Sequence, residues 1–311
     1  MSLPEPPVSL ATELFGQRLA TPVMAASGTC GFGSELAEVA DLAWYGALVL
    51  KTITLKPRKG NPPPRMTESP AGMLNSIGLQ NPGWEEFASE VWPRVLETCA
   101  QTRLILSLGG EEAFEFATLA RQASDLEGVF ALELNLSCPN VCAGGRVVGA
   151  QAGAVRELVT AARGKTDLPL IAKLSPNVAN LPELAQAAQE AGADAVSVVN
   201  TYLGLALDVE KRKYLFANRV AGVSGPAIKP LALHATHLVA QSAMCPVIGM
   251  GGISGWRDAA EFLLAGASAI QVGTAGFPNP KVASEIGEGL ATYLERQGMA
   301  SVSELVGALQ G

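Results

Sequence analysis

Eight short runs of apolar residues recur along the chain at fairly regular spacing. They are rich in β-branched side chains, and several are apolar almost without interruption, as expected of strands that are buried on both faces. The runs extend over Pro22–Gly28, Ala47–Ile53, Leu104–Gly109, Ala131–Ser137, Leu170–Ser175, Ala195–Asn200, Val247–Gly251 and Ala269–Gly273. The pattern predicts eight buried strands.

Stretches rich in Ala, Leu and Glu separate these runs and show helical periodicity. They extend over Ser34–Leu42, Glu85–Cys99, Glu111–Ala123, Ala152–Arg163, Leu181–Ala191, Ile228–Gln241, Trp256–Ala265 and Lys281–Arg296. Ser34, Asn180 and Ser254 stand where N-cap residues are expected. Gly192 and Gly266 stand at helix ends just before a strand. The sequence therefore predicts a helix after each strand.

This alternation of strand and helix predicts an α/β fold, a (β/α)8 TIM barrel with active groups at the C-terminal ends of the strands. A doubly wound sheet is the alternative, but Gly28–Gly33 lacks the G-x-G-x-x-G spacing. The connections Thr54–Trp84 and Asn200–Lys229 are longer than a barrel needs, so we expect long βα loops over the C-terminal face. We expect residues 1–311 to form a single barrel domain.

Composition narrows the function classes. With 48% apolar and 16% charged residues the chain can build a large core, and its net charge of −7 argues against a nucleic-acid partner. The polar, proline-rich start is not expected to be a signal peptide, and no run reaches the roughly 18 apolar residues of a membrane span. Five cysteines without a CxxC spacing argue against a disulfide scaffold or a metal site built by this chain alone. We expect a reduced, cytoplasmic setting.

Glycines mark the ends of the last two predicted strands, at Gly251-Gly252 and Gly273-Thr274, and a third glycine turn covers Ser224–Pro226. Backbone amides in such loops can hold a phosphate group without a charged side chain, and the loops after strands seven and eight are the usual phosphate site of a barrel. A tight turn alone would also explain Gly225. The three loops together predict a phosphate-bearing ligand.

Cationic and amide side chains mark other strand ends. Lys51 and Lys173 lie inside apolar strands, where a lysine must either extend to solvent or meet an anion. Amide side chains offer the paired donor and acceptor that match a planar, amide-containing ring. Those near the predicted strand ends or in the first long loop are Asn75, Asn81, Asn135, Asn140 and Asn200. Singly each is also typical of a turn, but together they predict a site for a pyrimidine-like heterocycle.

A single thiol, Cys138, directly follows strand four and can act as a nucleophile or a general base. His234 and His237 lie one turn apart on a predicted helix, where surface or packing roles are more common than a metal pair. Cys138 therefore has no evident histidine partner. A lone thiol that accepts a proton is favoured over a Cys–His hydrolase.

Several motifs occur in a specific order between about Leu10 and the last helix. They are GNPPPR (Gly60–Arg65), NSIGLQNPG (Asn75–Gly83), NLSCPNV (Asn135–Val141), Asn200-Thr201, SGPAIKP (Ser224–Pro230) and Gly251-Gly252. Together they resemble class 1 dihydroorotate dehydrogenases. The resemblance implies an FMN enzyme of pyrimidine biosynthesis that oxidises (S)-dihydroorotate to orotate. It also implies that Cys138 removes a proton from the ring methylene while the neighbouring carbon gives a hydride to the flavin.

The resemblance also assigns site residues. Those implied to hold FMN are Ser27, Lys51, Thr52, Ser107, Asn135, Lys173, Val199, Gly225, Gly251, Gly252, Gly273 and Thr274. Those implied to hold the substrate are Lys51, Asn75, Ser76, Ile77, Gly78, Leu79, Asn135, Asn140, Asn200 and Thr201. Lys51 and Cys138 are the implied catalytic residues, and no metal is expected on this chain.

A subclass is also indicated. Class 2 enzymes carry a membrane-associating extension and a serine base, whereas this sequence has Cys138 at the base position. The segment Cys138–Gly145 and the pair Asn200-Thr201 are more similar to the NAD-linked class 1B than to the fumarate-linked homodimers of class 1A. The resemblance implies an iron–sulfur flavoprotein partner carrying FAD and a [2Fe–2S] cluster, and a homodimeric core within a heterotetramer, with no nucleic-acid or membrane partner.

Two residues of the sequence raise questions about the family pattern, and three alternative functions compete with the one that the resemblance implies. Ser107 stands where the family usually has an asparagine that touches the flavin, and Cys142 is a second thiol four residues beyond Cys138. The rivals are a fumarate-linked class 1A enzyme, another FMN barrel such as a tRNA dihydrouridine synthase, and a flavin-binding scaffold without activity. The acidic balance opposes the tRNA enzyme, and the presence of Cys138, Lys51 and Asn140 opposes the inactive scaffold.

Overall fold

A computed structural model describes residues 8–136, 141–142, 146–147 and 151–310. Within these residues the strands are β1 (Thr12–Leu14), β2 (Gln17–Leu19), β3 (Val23–Ala25), β4 (Ala47–Val49), β5 (Met66–Ser69), β6 (Gly72–Asn75), β7 (Arg103–Leu108), β8 (Val129–Asn135), β9 (Val141–Cys142), β10 (Arg146–Val147), β11 (Leu170–Lys173), β12 (Ala195–Val198), β13 (Tyr202–Leu205), β14 (Leu207–Asp208), β15 (Lys213–Tyr214), β16 (Val220–Ser224), β17 (Val247–Met250) and β18 (Ala269–Val272).

The helices alternate with the longer strands. In chain order they are α1 (Ser34–Ala37), α2 (Trp84–Glu86), α3 (Trp92–Cys99), α4 (Ala113–Ser124), α5 (Ala152–Arg163), α6 (Leu181–Glu190), α7 (Lys229–Ser242), α8 (Trp256–Leu264) and α9 (Val282–Gln297). A π-helical turn, Phe87–Val91, joins α2 to α3. Short 3₁₀ turns occupy Leu42–Trp44, Pro226–Ile228, Thr274–Gly276 and Val302–Leu305.

Eight parallel strands close into a barrel in the order β11-β12-β17-β18-β3-β4-β7-β8. Each barrel strand coincides with one of the eight apolar runs, and the helices surround the barrel. The predicted (β/α)8 fold is therefore confirmed. Most strands are shorter than their runs because the last residues of each run leave the ladder and enter a loop at the C-terminal face, as Ser27 does after β3.

Two separate apolar layers stabilise the barrel. Between strands and helices lies the larger core, which includes Leu48, Phe116 and Phe262. A second cluster fills the lower barrel interior, where Ile105 and Ile171 pack with side chains from the neighbouring strands. The β1–β2 hairpin contributes Leu14 and Leu19 to this second cluster and so closes the N-terminal end of the barrel.

The two long loops combine into one structure. Strands β5 and β6 come from the first loop, β13 and β16 come from the second, and they form a four-stranded antiparallel sheet in the order β13-β16-β6-β5. The register places Asn75 opposite Met66 on one side and Gly222 on the other. The sequence predicted ordered loops here but not the strands, and the pairing of β16 with β6, which joins the two loops, connects residues far apart along the chain, such as Gly222 and Asn75.

Two helix-start predictions are wrong. Ser34 is the first helical residue and Gly33 is the N-cap, with φ of +96°; a Cβ at Gly33 would lie 2.8 Å from the Cys99 sulfur. Gly255, not Ser254, is the N-cap of α8, because the Ser254 amide and hydroxyl both donate to the Asp258 carboxylate. The Asn180 cap is confirmed, since its Oδ1 accepts from the Glu183 amide at 3.3 Å.

The first predicted helix, Ser34–Leu42, is also too long. It ends after one turn because Asp41 adopts an extended backbone and its carboxylate accepts from the Ala43 amide at 2.9 Å, which caps a new 3₁₀ turn. In contrast, Gly192 and Gly266 end their helices as predicted, with φ of +100° and +107°. Among the described residues no helix has the length and apolar character needed to cross a bilayer.

Two phenylalanines on α4 test the helix-to-barrel packing. Phe116 is fully buried, whereas Phe114, two residues earlier, is 60% exposed. We expect Phe116→Ala to lower the free energy of unfolding by about 3–5 kcal/mol, because it removes buried area and leaves a cavity. Phe114→Ala is the matched control and should change it by about 0.5 kcal/mol or less. Urea unfolding followed by circular dichroism measures both, and equal losses would contradict the packing described here.

Candidate active site

A chain of hydrogen-bonded hydroxyl and amide groups crosses the C-terminal face of the barrel. The Ser27 hydroxyl donates to the Leu50 carbonyl at 2.7 Å and lies 3.3 Å from the Thr52 hydroxyl. Asn135 Nδ2 donates to that Thr52 oxygen at 3.4 Å, and Asn200 Nδ2 donates to Asn135 Oδ1 at 3.4 Å. Side chains from four different barrel strands or their loops are therefore brought together.

Two further groups extend this chain. Asn200 Oδ1 accepts from the Thr201 amide at 2.8 Å, which orients the asparagine side chain. Ser107 is fully buried at the end of β7, and its hydroxyl lies 2.9 Å from the Thr52 hydroxyl. The Ser107 hydroxyl therefore has a hydrogen-bond partner inside the barrel. Val199 is also buried nearby, directly after β12.

Lys51 is the more accessible of the two strand-end lysines. It follows β4 and is half-buried. Burial lowers the pKa of its ammonium group below the ordinary value, and the positive charges of Lys173 and Arg65 lower it further. An anionic group placed next to Lys51 would offset both effects, so the electrostatics of this face favour an anionic ligand.

Lys173 meets an anion, which is one of the two outcomes expected for a lysine inside an apolar strand, but its partner Glu133 was not predicted. Its Nζ lies 3.4 Å from Glu133 Oε1, and both side chains are almost fully buried. Glu133 Oε2 accepts from the Ser197 hydroxyl at 3.0 Å and from Gln271 Nε2 at 2.8 Å. The sequence contains a feature that could have identified Glu133. It is a charged residue inside an apolar strand, and because it lies two residues before Asn135 it is on the same face of that strand.

Glycines shape the opposite side of the same face. Gly225, Gly251 and Gly252 have φ of +95°, +121° and +77°, which L-residues with a side chain rarely adopt. A Cβ on Gly251 would lie 2.7 Å from the Ala232 Cβ, and one on Gly252 would lie 2.7 Å from the Lys229 amide nitrogen. The backbone therefore requires glycine here and leaves its amides uncovered by side chains.

The amides of these loops suit an anion. Within the described part of the chain, the amide nitrogens of Gly251, Gly252 and Gly273 donate to no other group. Thr274 begins a 3₁₀ turn directly after Gly273, and its hydroxyl donates to the Ser224 hydroxyl at 2.8 Å. This hydrogen bond connects the loop after β18 to the glycine turn at Gly225. Several donors without protein partners thus lie in neighbouring loops, as a phosphate group requires.

The four-stranded sheet β13-β16-β6-β5 is called the covering sheet. The segment Asn75–Leu79 leaves this sheet at the end of β6 and is hydrogen-bonded to the loop that precedes β5. Asn61 Nδ2 donates to the Ser76 carbonyl at 2.8 Å, and the Asn61 amide donates to the Ile77 carbonyl at 2.9 Å. Gly78 has φ of +77°, and a Cβ there would lie 2.8 Å from Asn61 Oδ1. The segment is therefore held closely against Asn61.

Asn81, in contrast, has a purely internal environment. It is buried, its Oδ1 accepts from the Gly83 amide at 2.9 Å, and its Nδ2 donates to the Leu79 carbonyl at 2.7 Å and to the Thr54 hydroxyl at 2.9 Å. These bonds hold the first long loop in its fold. The structure therefore does not bring Asn81 into the group of amides expected to meet a ligand.

Cys138 and Asn140 lie outside the described residues, as does the side chain of Cys142. Cys30, Cys99 and Cys245 are free thiols. Burial raises the pKa of Cys30 to about 12, so this thiol remains protonated at neutral pH and is unsuited to act as a base. Among the described residues no three His, Cys, Asp or Glu side chains are grouped to hold a metal ion.

Comparison with known proteins decides the family. The family model described as dihydroorotate dehydrogenase matches residues 9–294. The chain belongs to the dihydroorotate dehydrogenase family. A protein named dihydroorotate dehydrogenase B (NAD(+)), catalytic subunit, from Geotalea uraniireducens is 50% identical over 300 residues, which cover 96% of this chain and 98% of the relative. Proteins of the same name from Desulforudis audaxviator and Bacteroides thetaiotaomicron are 48% and 45% identical, over 97% and 94% of this chain and 97% and 96% of the relatives.

Members of the dihydroorotate dehydrogenase family in general depend on FMN, and the residues of this chain fit that cofactor. The glycine loops at Gly225, Gly251 and Gly273 offer amide donors suited to its phosphate group. The polar upper surface of the barrel offers hydroxyl, amide and ammonium groups suited to the edge of its ring. The two sets of groups lie on one face, as a ligand with a phosphate at one end and a heterocycle at the other needs.

The lowered pKa of Lys51 makes a prediction about stability. The pKa of Lys51 is lower in the folded protein than in the unfolded chain. At pH values between these two pKa values, the unfolded chain therefore binds more protons than the folded protein. The burial penalty is therefore fully present at neutral pH and fades as the pH rises through the folded pKa. We expect Lys51→Met to raise the midpoint of thermal unfolding of the ligand-free protein at pH 7, and to raise it less at pH 10.

The control for this experiment is Lys165→Met, which removes an exposed lysine. It should leave the midpoint nearly unchanged at both pH values. Differential scanning calorimetry measures all three proteins. A Lys51→Met protein that melts below the parent at pH 7 would mean that the ammonium group is stabilised by its surroundings, contrary to the prediction.

Proposed function

We propose that this chain is the FMN-binding catalytic subunit of an NAD-linked dihydroorotate dehydrogenase, which oxidises (S)-dihydroorotate to orotate in de novo pyrimidine biosynthesis. The observation that carries the proposal is the 50% identity, over 96% of this chain, to a protein named as an NAD(+)-linked catalytic subunit. The combination of Lys51, the amide chain and the glycine loops on one barrel face supports it. We assign residues 1–311 to one FMN-binding barrel domain that acts in the cytoplasm.

In this proposal the substrate lies between Lys51, the segment Asn75–Leu79 and the amides near β8 and β12. Lys51 neutralises the substrate carboxylate, which offsets the burial of its own charge. The amide side chains of Asn135 and Asn200, already oriented by each other, meet the amide edges of the ring together with Asn140 and Thr201. The pyrimidine is thereby fixed in a single orientation.

The chemical step removes one hydrogen from each of two neighbouring ring carbons that are joined by a single bond. Cys138, as a thiolate, takes the proton from the ring methylene, and the neighbouring carbon loses its hydrogen together with an electron pair. A new double bond forms between the two carbons, so atoms and charge balance. FMN, when bound, supplies the acceptor of that electron pair. The chain's own contribution is to orient the ring, hold the proton at the Cys138 sulfur and exclude water from this face.

We propose that FMN is held by two groups of residues. The groups near its ring are Ser27, Lys51, Thr52, Ser107, Asn135, Lys173 and Val199, and those near its phosphate are Gly225, Gly251, Gly252, Gly273 and Thr274. The hydrogen bonds among Ser27, Thr52 and Asn135 support this role, because they pre-orient polar groups at a solvent-accessible face. The positive φ angles of the glycines support the phosphate site.

We further propose that the electrons leave through a partner subunit that carries FAD and a [2Fe–2S] cluster. The relatives are named catalytic subunits, a word that implies another chain in their enzymes. An assembly surface is available on the sheet that covers the barrel, where Leu203, Leu205 and Val220 are each about half exposed. Neighbouring exposed apolar side chains commonly mark protein contacts. A homodimeric core within a heterotetramer would use such surfaces.

The base assignment is tested by Cys138→Ala. Without the thiolate, the methylene proton has no acceptor, so the rate of anaerobic flavin reduction by dihydroorotate at neutral pH should fall by at least about 100-fold. Binding of FMN and orotate should persist, as measured by flavin absorbance and equilibrium titration. Cys142→Ala is the matched control and should reduce its flavin at nearly the parent rate. The opposite result would make Cys142 the base.

The electron acceptor is tested by steady-state turnover of dihydroorotate with NAD or fumarate. The isolated chain should not reduce NAD, and addition of an iron–sulfur flavoprotein partner should restore NAD reduction. Efficient turnover of the isolated chain with fumarate would instead identify a class 1A enzyme. Flavin that is reduced no faster with dihydroorotate than without it would overturn the proposed activity itself.

A further inference from the structure

Glu133 is a fully buried carboxylate at the centre of a polar network inside the barrel. Its Oε2 accepts from the Ser197 hydroxyl at 3.0 Å and from Gln271 Nε2 at 2.8 Å, and its Oε1 lies 3.4 Å from the Lys173 ammonium. Glu133 lies on β8, and its three partners come from β11, β12 and β18. Four strands of the barrel therefore converge on one negative charge.

The network lies inside the barrel, between the apolar lower cluster and the polar groups at the C-terminal face. Below it, Ile105, Ile171 and their neighbours form the apolar lower cluster. Above it, Asn135 lies two residues after Glu133 on the same strand and pairs in register with Lys173. Glu133 thus lies beneath Asn135, and Lys173 belongs both to the network and to the groups assigned to the flavin.

A buried ion pair is a poor source of stability, because removing both charges from water costs about as much as their attraction returns. An apolar layer would fill the same space at lower cost. The geometry of Glu133 is informative here, because the two hydrogen bonds hold Oε2 and leave Oε1 directed at Lys173. The hydrogen bonds therefore orient the carboxylate toward the ammonium group.

We propose that Glu133 is a positioning residue that holds the Lys173 ammonium at the upper face of the barrel and partly neutralises it, and so sets the relative affinity for oxidised and reduced flavin. The inference rests on the proposed function, since it concerns FMN bound at this face. A flavin gains negative charge on reduction, so an ammonium group close to the ring favours the reduced form. A carboxylate behind that ammonium weakens the preference.

Glu133→Gln is the primary test, because it removes the charge and keeps the shape. The Ser197 hydroxyl can accept from the new amide, and Gln271 Oε1 is a buried oxygen without a hydrogen-bond donor among the described residues. The barrel can therefore accommodate the glutamine. We expect the ratio of reduced to oxidised FMN affinity to rise by about tenfold, which appears as a more positive midpoint potential.

The readouts are a spectroelectrochemical titration of the holoenzyme and the dissociation constant of oxidised FMN. Glu190→Gln is the matched control, because Glu190 also forms an ion pair, in its case with Arg156, but at the exposed outer surface. It should leave the midpoint potential unchanged. A Glu133→Gln protein with the parent potential would overturn the inference.

A double-mutant cycle tests whether Glu133 acts through Lys173. Lys173→Met should make the potential more negative, and in that background Glu133→Gln should shift the potential by less than it does in the parent. Additive shifts would show that Glu133 acts on the flavin directly, and the positioning role would be wrong. If Glu133→Gln does not fold, Ser197→Ala, which keeps both charges and removes one orienting hydrogen bond, replaces it. Unchanged FMN affinity and potential in Ser197→Ala would then overturn the inference.

Failure of this inference is distinguishable from failure of the proposed function. If the parent protein does not bind FMN, or binds it and is not reduced by dihydroorotate, the proposed function fails and the potentials are not at issue. If the parent is reduced by dihydroorotate and Glu133→Gln has the same potential as the parent, only the role of Glu133 fails.

Discussion

The closed ring of backbone hydrogen bonds among eight parallel strands is the constraint on which the remaining features depend. Closure leaves no free edge in the barrel, and it brings the C-terminal ends of all eight strands to one face. Thr52, Asn135 and Asn200 are far apart in the sequence, yet closure places Asn135 within hydrogen-bond distance of both Thr52 and Asn200. The site is a consequence of the barrel rather than of any local motif.

The barrel interior is divided along its axis into an apolar half and a polar half. Apolar side chains and the β1–β2 hairpin close the lower half, where burial and tight packing stabilise the fold. The upper half contains Ser107, Glu133 and Lys173, which would destabilise the fold without partners. Ser107 lies within hydrogen-bond distance of Thr52, and Glu133 accepts from Ser197 and Gln271 and pairs with Lys173, which reduces this cost. Within the barrel interior, the apolar packing and the polar groups thus lie at different depths.

The covering sheet shows how two excursions of the chain become one structural unit. Residues from the loop after β4 pair with residues from the loop after β12, and Gly72 and Gly225 approach each other so closely that a Cβ on Gly225 would lie 2.6 Å from the Gly72 Cα. The same sheet leads into the segment Asn75–Leu79 and into the glycine turn at Gly225. Assembly of this sheet therefore connects the proposed substrate side of the face to the proposed phosphate side.

Local patterns in the sequence were enough to predict the eight strands, the order of strands and helices, and the glycine and lysine positions at the strand ends. They were enough because apolar periodicity is local and because Gly251 and Gly252 adopt φ values that require glycine. Resemblance to a family supplied the flavin and the substrate, which periodicity does not specify. Local patterns also misplaced the caps at Ser34 and Ser254, since the deciding contacts involve Cys99 and Asp258.

Which polar residues lie together depends on contacts between distant parts of the chain. Asn81 and Asn135 look alike in the sequence, but Asn81 makes all its bonds within its own loop, whereas Asn135 lies on the barrel face. Glu133 and Gln271 are separated by 138 residues and meet only because β8 and β18 belong to one closed barrel. Long-range pairing of this kind leaves no periodic trace along the chain, because its energy comes from contacts between strands.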